Sequence, residues 1–116
     1  MKVIIAGSRK ISDYSELLTA IARARFEITE VVCGMAIGTD KLGEKWARVN
    51  NLPVKEMPAD WNKYGKPAGP IRNKQMAEYA DAAIVLWDGK SDGSRNMISE
   101  MNRLNKPVFI KIVEKT

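Results

Sequence analysis

The residues best equipped for chemistry in this chain are arginines, carboxylates and small hydroxyl side chains set beside glycines. Gly34-Met35-Ala36-Ile37-Gly38-Thr39-Asp40 follows the apolar run Val31-Val32-Cys33 and leads into Lys41–Val49, whose spacing predicts a helix. Glycines at a strand-to-helix turn let a ligand approach the N–H groups that a helix start leaves unbonded, so this turn suits a phosphate. Thr39 or Asp40 is placed to cap the helix. The Asp40 charge repels a phosphate and suits a ribose hydroxyl. The plainer reading is turn chemistry without a ligand.

Three other stretches share this character. In Gly7-Ser8-Arg9 the arginine is an anion contact or one half of a surface ion pair. In Asp88-Gly89-Lys90-Ser91-Asp92-Gly93-Ser94, the residues Ser91, Gly93 and Ser94 form a second anion nest or an ordinary turn, and Asp88 reads a ribose hydroxyl or closes that turn. Between them, residues 58–73 carry Trp61 and Tyr64, which stack a base or pin a long connection, and then Arg72 and Asn73. Arg72 is expected in the first turn of a helix, where the dipole disfavours a cation and a bound phosphate would supply the reason for one. Asn73 caps that helix or joins the pocket.

The composition removes whole classes of chemistry. With no histidine and one cysteine, Ser-His-Asp and Cys-His catalysis and most zinc sites are excluded. No acidic cluster suggests magnesium, so no metal and no cofactor is expected. The lone Cys33 cannot form an internal disulfide and reads as a small buried hydrophobe in a reduced, cytoplasmic setting. Nineteen Lys and Arg against 14 Asp and Glu give a formal charge of +5, which favours anionic ligands. The lysines are scattered among acidic residues, which argues against nucleic acid. No apolar run is long enough to cross a membrane.

The elements that must position these residues alternate. Strands are predicted at 2–6, 30–33, 53–57, 82–87 and 107–113. Helices are predicted from Ser12 or Asp13 to about Arg25, through about Asn50, from Pro70 to about Tyr79, and from about Ser94 to Leu104. Strand–helix alternation of this length predicts one domain over residues 1–116, a three-layer α/β/α Rossmann-like fold with a parallel sheet of about five strands. In such a sheet every strand-to-helix loop lies on one edge. The four unusual stretches should therefore converge, with the switch point between Gly7-Ser8-Arg9 and 88–94 if the first and fourth strands are neighbours.

Read together, Gly7-Ser8-Arg9, Cys33–Asp40 with Gly43–Ala47, Pro58-Ala59-Asp60-Trp61, Tyr64-Gly65-Lys66, Ala68-Gly69-Pro70-Ile71-Arg72-Asn73 and Trp87-Asp88-Gly89 with Ser91, Gly93, Met97 and Ile98 resemble the YspA/YpsA-related SLOG family. The resemblance runs nearly the length of the chain, and the Ala-Gly-Pro-Ile-Arg-Asn segment is its most specific part. It implies a small Rossmann-like domain that binds nucleotides or nucleotide-derived ligands. Relatives include cytokinin-activating phosphoribohydrolases, the DNA-uptake protein DprA and sensors of NAD-derived signals. It implies that Gly34, Gly38 and Thr39 hold a phosphate and that Arg9, Arg72 and Asn73 line the same pocket. Met35 and Ile37 depart from the family's usual Gly-Gly-Ala-Arg-Gly, losing a glycine and a cation.

The expected function is binding of a small phosphorylated, nucleotide-like molecule, such as an ADP-ribose-like or cyclic nucleotide signal, as a sensor or a sequestering protein. The expected ligand residues are Gly7, Ser8, Arg9, Gly34, Met35, Ala36, Gly38, Thr39, Asp40, Trp61, Tyr64, Arg72, Asn73, Asp88, Gly89, Ser91, Gly93 and Ser94. The alternatives are an N-glycoside hydrolase acting on nucleoside phosphates, with Asp40, Glu44, Asp60 or Asp88 as its carboxylate, and DNA binding of the DprA type. A homo-oligomer is expected, paired through apolar faces of the third and fourth predicted helices.

Overall fold

The computed structural model describes residues 1–34 and 38–114; Met35 and Ala36, two of the expected ligand residues, lie outside these together with Ile37. The first apolar run is strand β1 (Lys2–Gly7), followed by α1 (Tyr14–Ala24), β2 (Glu30–Cys33) and α2 (Thr39–Val49). Then come β3 (Val54–Glu56), the short α3 (Trp61–Tyr64), α4 (Ala68–Tyr79), β4 (Ala82–Trp87), α5 (Asp92–Arg103) and β5 (Val108–Ile112). All strand pairs are parallel, in the order β3-β2-β1-β4-β5. Chain order therefore reverses between β1 and β4, where Ala6 is registered with Val85 and Gly7 with Leu86. This is the α/β Rossmann-like sheet that the alternating pattern predicts.

The pleat splits the core in two. Val3, Ile5, Val31, Cys33, Ile84 and Leu86 turn to the face covered by α1 and α2. Ile4, Ala6, Val32, Ala83 and Val85 turn to the other, where Met76 and Ala77 of α4 and Met97 and Met101 of α5 cover them. Both faces of β1 and β4 are thus shielded, which is why these strands read as unbroken apolar runs. The apolar faces of α4 and α5 expected to pair two copies are spent here. Met76, Met97 and Met101 are essentially inaccessible.

The helix boundaries obey local rules. Asp13 caps α1 by accepting the Ser15 N–H at 2.9 Å. Past the ends of α2 and α5, Asn51 and Asn105 take φ near 55°, the left-handed turn that stops a helix. The α4 carboxyl end is capped from a distance: Lys106 Nζ donates to the carbonyls of Ala77, Glu78 and Ala80 at 2.8, 3.0 and 2.7 Å. An ammonium there satisfies orphan carbonyls and meets the negative pole of the helix.

Three expectations need correction. The third predicted helix starts at Ala68 rather than Pro70, because Pro70 falls inside the first turn, where its missing N–H costs nothing. The connection before it is not all loop, since Asp60 accepts the Lys63 N–H at 3.1 Å and starts one turn of helix. Neither Thr39 nor Asp40 caps α2: the cap position is Gly38, at φ 77°, with no side-chain capping bond. Among the described residues no helix is long and apolar enough to cross a membrane.

Candidate functional site

The carboxyl edge of β1 and β4 opens on the α4/α5 face into a cavity of about 560 Å³. Its floor is the end of one core layer, Ala6, Met76 and Met97. One wall is the turn after β1, with Gly7, Ser8, Arg9 and Lys10. Another is the start of α5, and a third is the start of α4 with Gly69, Pro70, Arg72 and Asn73. Trp61 stands at the rim, 53% exposed, and Asp40 of α2 closes one corner.

Two hydrogen-bond relays order these walls. In the first, Ser8 Oγ accepts the Asp88 N–H at 3.2 Å and shares a 3.0 Å bond with Ser91 Oγ. Ser91 Oγ then donates to Ser94 Oγ at 3.0 Å. This ties the β1 turn to the β4 turn across the switch point. Ser91 occupies the cap position of α5 but makes no side-chain capping bond. The first bond back into that helix runs from Arg95 N to Ser91 O, so the N–H groups of Asp92, Gly93 and Ser94 precede the helical ladder. A Cβ built on Gly93 would meet nothing within 4 Å, so the backbone is bare on that side.

The second relay starts at Arg72. Its Nη1 donates to Gly34 O at 2.7 Å and its Nε to Asn73 Oδ1 at 3.0 Å. Asn73 Nδ2 donates onward to Asn96 Oδ1 at 2.9 Å and to Gly93 O at 3.3 Å. With its Oδ1 taken, Asn96 has its amide NH2 left to offer at the cavity wall. Burial pulls the Arg72 guanidinium below its ordinary pKa; the Asp40 carboxylate opposes that shift, and Arg9 adds to it. Since α4 begins at Ala68, Arg72 sits in the second turn, not the first. The helix dipole is therefore not what its placement answers; the Gly34 carbonyl holds it.

The structure brings together on the cavity Gly7, Ser8, Arg9, Asp40, Trp61, Arg72, Asn73, Asp88, Ser91, Gly93 and Ser94. Gly34, Gly38, Thr39, Tyr64 and Gly89 are not among its lining residues. The reasons are local. A Cβ on Gly34 would overlap the Arg72 guanidinium, and one on Gly38 the Arg9 carbonyl, so these glycines serve close packing of the chain on itself. Thr39 is fully buried and spends its hydroxyl on Ser8 O at 3.2 Å. Tyr64 carries the Lys63 ammonium 5.1 Å over its ring.

The candidate carboxylates separate as well. Asp60 caps α3 and is exposed. Glu44 is ion-paired with Arg48 and lies 3.7 Å from Lys41, away from the cavity lining. Asp88 accepts the N–H groups of Lys90 and Ser91 at 2.8 Å each, which hold its carboxyl below the usual range and close the turn. Asp40, 6% exposed, is the buried carboxylate among the described lining residues. The residues that sequence reasoning missed are Lys10, Gly69, Pro70, Asp92, Asn96 and the floor residues Ala6, Met76 and Met97. Asn96 lies four residues after Asp92 on α5, one turn in from the glycine nest, and that spacing is the one signal that could have found it.

The family model described as YspA, cpYpsA-related SLOG family matches residues 1–64. The chain is also 32% identical over 118 residues to the Gene 61 protein of Mycobacterium phage D29, covering 93% of this chain and 94% of that protein. This chain belongs to the YspA, cpYpsA-related SLOG family. Among solved structures it is similar to DNA processing protein A (DprA) from Streptococcus pneumoniae, with a TM-score of 0.76 and 20% identity over 94% of this chain. That match spans 49% of the DprA chain, so this SLOG chain is about half its length and shares the fold of that part.

Proposed function

We propose that this SLOG domain binds a nucleotide or nucleotide-derived molecule across the cavity, with a phosphate at the start of α5 and a base toward Trp61. The observation that carries this reading is the convergence, at the β1/β4 switch point, of an uncapped α5 start, two rim cations and an exposed tryptophan. The N–H groups of Gly93 and Ser94 and the Asn96 amide are donors, which suits phosphate oxygens. Arg9 and Lys10 neutralise charge at the rim, and Asp40, at one corner of the cavity, suits a ribose hydroxyl. The reading moves the phosphate from the Gly34–Thr39 turn to the second nest, because Thr39 and the described glycines of the first are engaged by Arg72, Arg9 and Ser8.

The test is native mass spectrometry of protein purified from cells, followed by calorimetric titration with AMP, NAD, ADP-ribose and cyclic ADP-ribose. A co-purifying nucleotide mass, or saturable binding of one of these, is the expected result. Absence of both rules the reading out. A second reading, hydrolysis of an N-glycosidic bond, is favoured by Asp40 alone, a buried carboxylate beside Arg72. Release of free base from the same four compounds distinguishes it, and retention of DNA oligonucleotides with steep salt dependence would point instead to nucleic acid.

A further inference from the structure

The two edges of the sheet are built differently. β3 is three residues long, and its Lys55 and Glu56 are exposed, which guards that edge against another strand. β5 runs five residues, Val108-Phe109-Ile110-Lys111-Ile112, with Ile110 39% and Ile112 54% exposed. Its bonds to β4 fix which groups face outward. Pro107 O accepts from Ala83 N, and Val113 N donates to Trp87 O, so the odd-numbered residues face β4. The N–H and C=O groups of Val108, Ile110 and Ile112 therefore point away from the sheet. Their side chains share one face, where Val108 packs on the α5 layer. The opposite face carries Phe109, packed into the α1/α2 core, and Lys111, ion-paired with Glu16.

We propose that β5 is the dimerisation edge of this protein, and that its partner is β5 of a second copy, paired antiparallel about a twofold axis through Ile110. The sequence of the strand is self-complementary in this register. Ile110 meets Ile110 of the partner subunit, and Val108 and Ile112 meet across the axis, so each outward-facing backbone pair finds an outward-facing pair. The contact is isologous, as a closed dimer requires. The same register sets Lys111 opposite a phenylalanine rather than opposite its own copy, and each Lys111 keeps its own Glu16, so no like charges face each other. Joining the edges yields one continuous ten-stranded sheet and leaves both cavities open, because the cavity lies at the β1/β4 edge among α4 and α5. This pairing of edges does not depend on what the cavity binds.

The experiment is sedimentation equilibrium of the full chain across a micromolar to millimolar series. It is paired with amide hydrogen exchange at high and low concentration. The expected mass is twice the 13.0 kDa of the chain. Exchange at the Ile110 and Ile112 amides is expected to slow by about tenfold or more on association, because these groups are solvent-facing in the single copy. Ile110→Lys with Ile112→Lys places like charges across the axis and should return the protein to a single-copy mass, with an unchanged circular dichroism spectrum because both side chains are already exposed. Val49→Lys, at a 66% exposed position on α2, should leave the dimer intact. A single-copy mass for the unaltered chain at every concentration overturns the proposal. So does a dimer that survives the double substitution, or one whose Ile110 and Ile112 amides exchange at the same rate at both concentrations.

Discussion

Gly93 separates stability from binding. It is the second residue of α5, its φ is not in the left-handed region, and a Cβ there enters open space at the cavity wall. Replacing it with alanine removes backbone freedom from the unfolded chain at no steric cost in the folded one, worth about 0.5–1 kcal/mol. For a domain of this size that is roughly 2–5 °C in Tm. Gly93→Leu keeps the helix but pushes a branched side chain into the space beside the Gly93 and Ser94 N–H groups. If a phosphate sits there, about one or two charge-assisted hydrogen bonds are lost, at about 1.5–3 kcal/mol each, or a tenfold to hundredfold weaker Kd for the first alone. Differential scanning calorimetry and calorimetric titration with AMP and ADP-ribose measure the two effects on the same samples. A Gly93→Leu protein that melts no lower than the parent and binds with unchanged Kd refutes the placement of the phosphate at α5.

Lys106→Met leaves the Ala77, Glu78 and Ala80 carbonyls without their ammonium, and urea unfolding should show a loss of about 1–3 kcal/mol. The Cys33 thiol is fully buried, and burial, with Asp40 and then Glu44 adding to it, pushes its pKa from 9.0 up to about 12. The native thiol should therefore resist iodoacetamide at pH 8 and react once the chain is unfolded in guanidinium. The folded state also holds this proton more tightly than the unfolded one, so its contribution to stability is complete below pH 9 and falls as pH rises toward 12, which alkaline unfolding curves of the parent and Cys33→Ala would separate. Asp88 shifts the other way: the Lys90 and Ser91 N–H groups favour its charged form, so its carboxyl should titrate below 3.8 by NMR. Its contribution is present above that value and fades as the solution is acidified through the folded pKa.

Much of this fold is written in local pattern. The runs at 30–33 and 82–87 follow from β-branched and apolar residues, and the structure reproduces them; a cap at Ser12 or Asp13 follows from a small polar side chain before a helical period, and the structure selects Asp13. The start of α4 was harder to read, because Ala-Gly-Pro resembles a breaker when a proline in the first turn of a helix is harmless. The convergence of loops on one edge followed from a parallel sheet alone. Which loops leave room for a guest did not. A glycine that admits a ligand and one that admits a neighbouring arginine look identical in sequence; Gly93 faces open space and Gly34 faces Arg72. Asn96 and Lys106 escaped notice because each acts through a partner more than 20 residues away.

The left-handed stops after α1, α2 and α5, at Arg25, Asn51 and Asn105, all fall at the amino-terminal rim of the sheet, opposite the cavity. That rim is made of short hinges that return the chain to the next strand without touching the guest-facing wall. Its segments are consequently the natural points at which to graft a fluorescent reporter or cut and rejoin the polypeptide, since the recognition surface and the splice would share only the rigid strands between them.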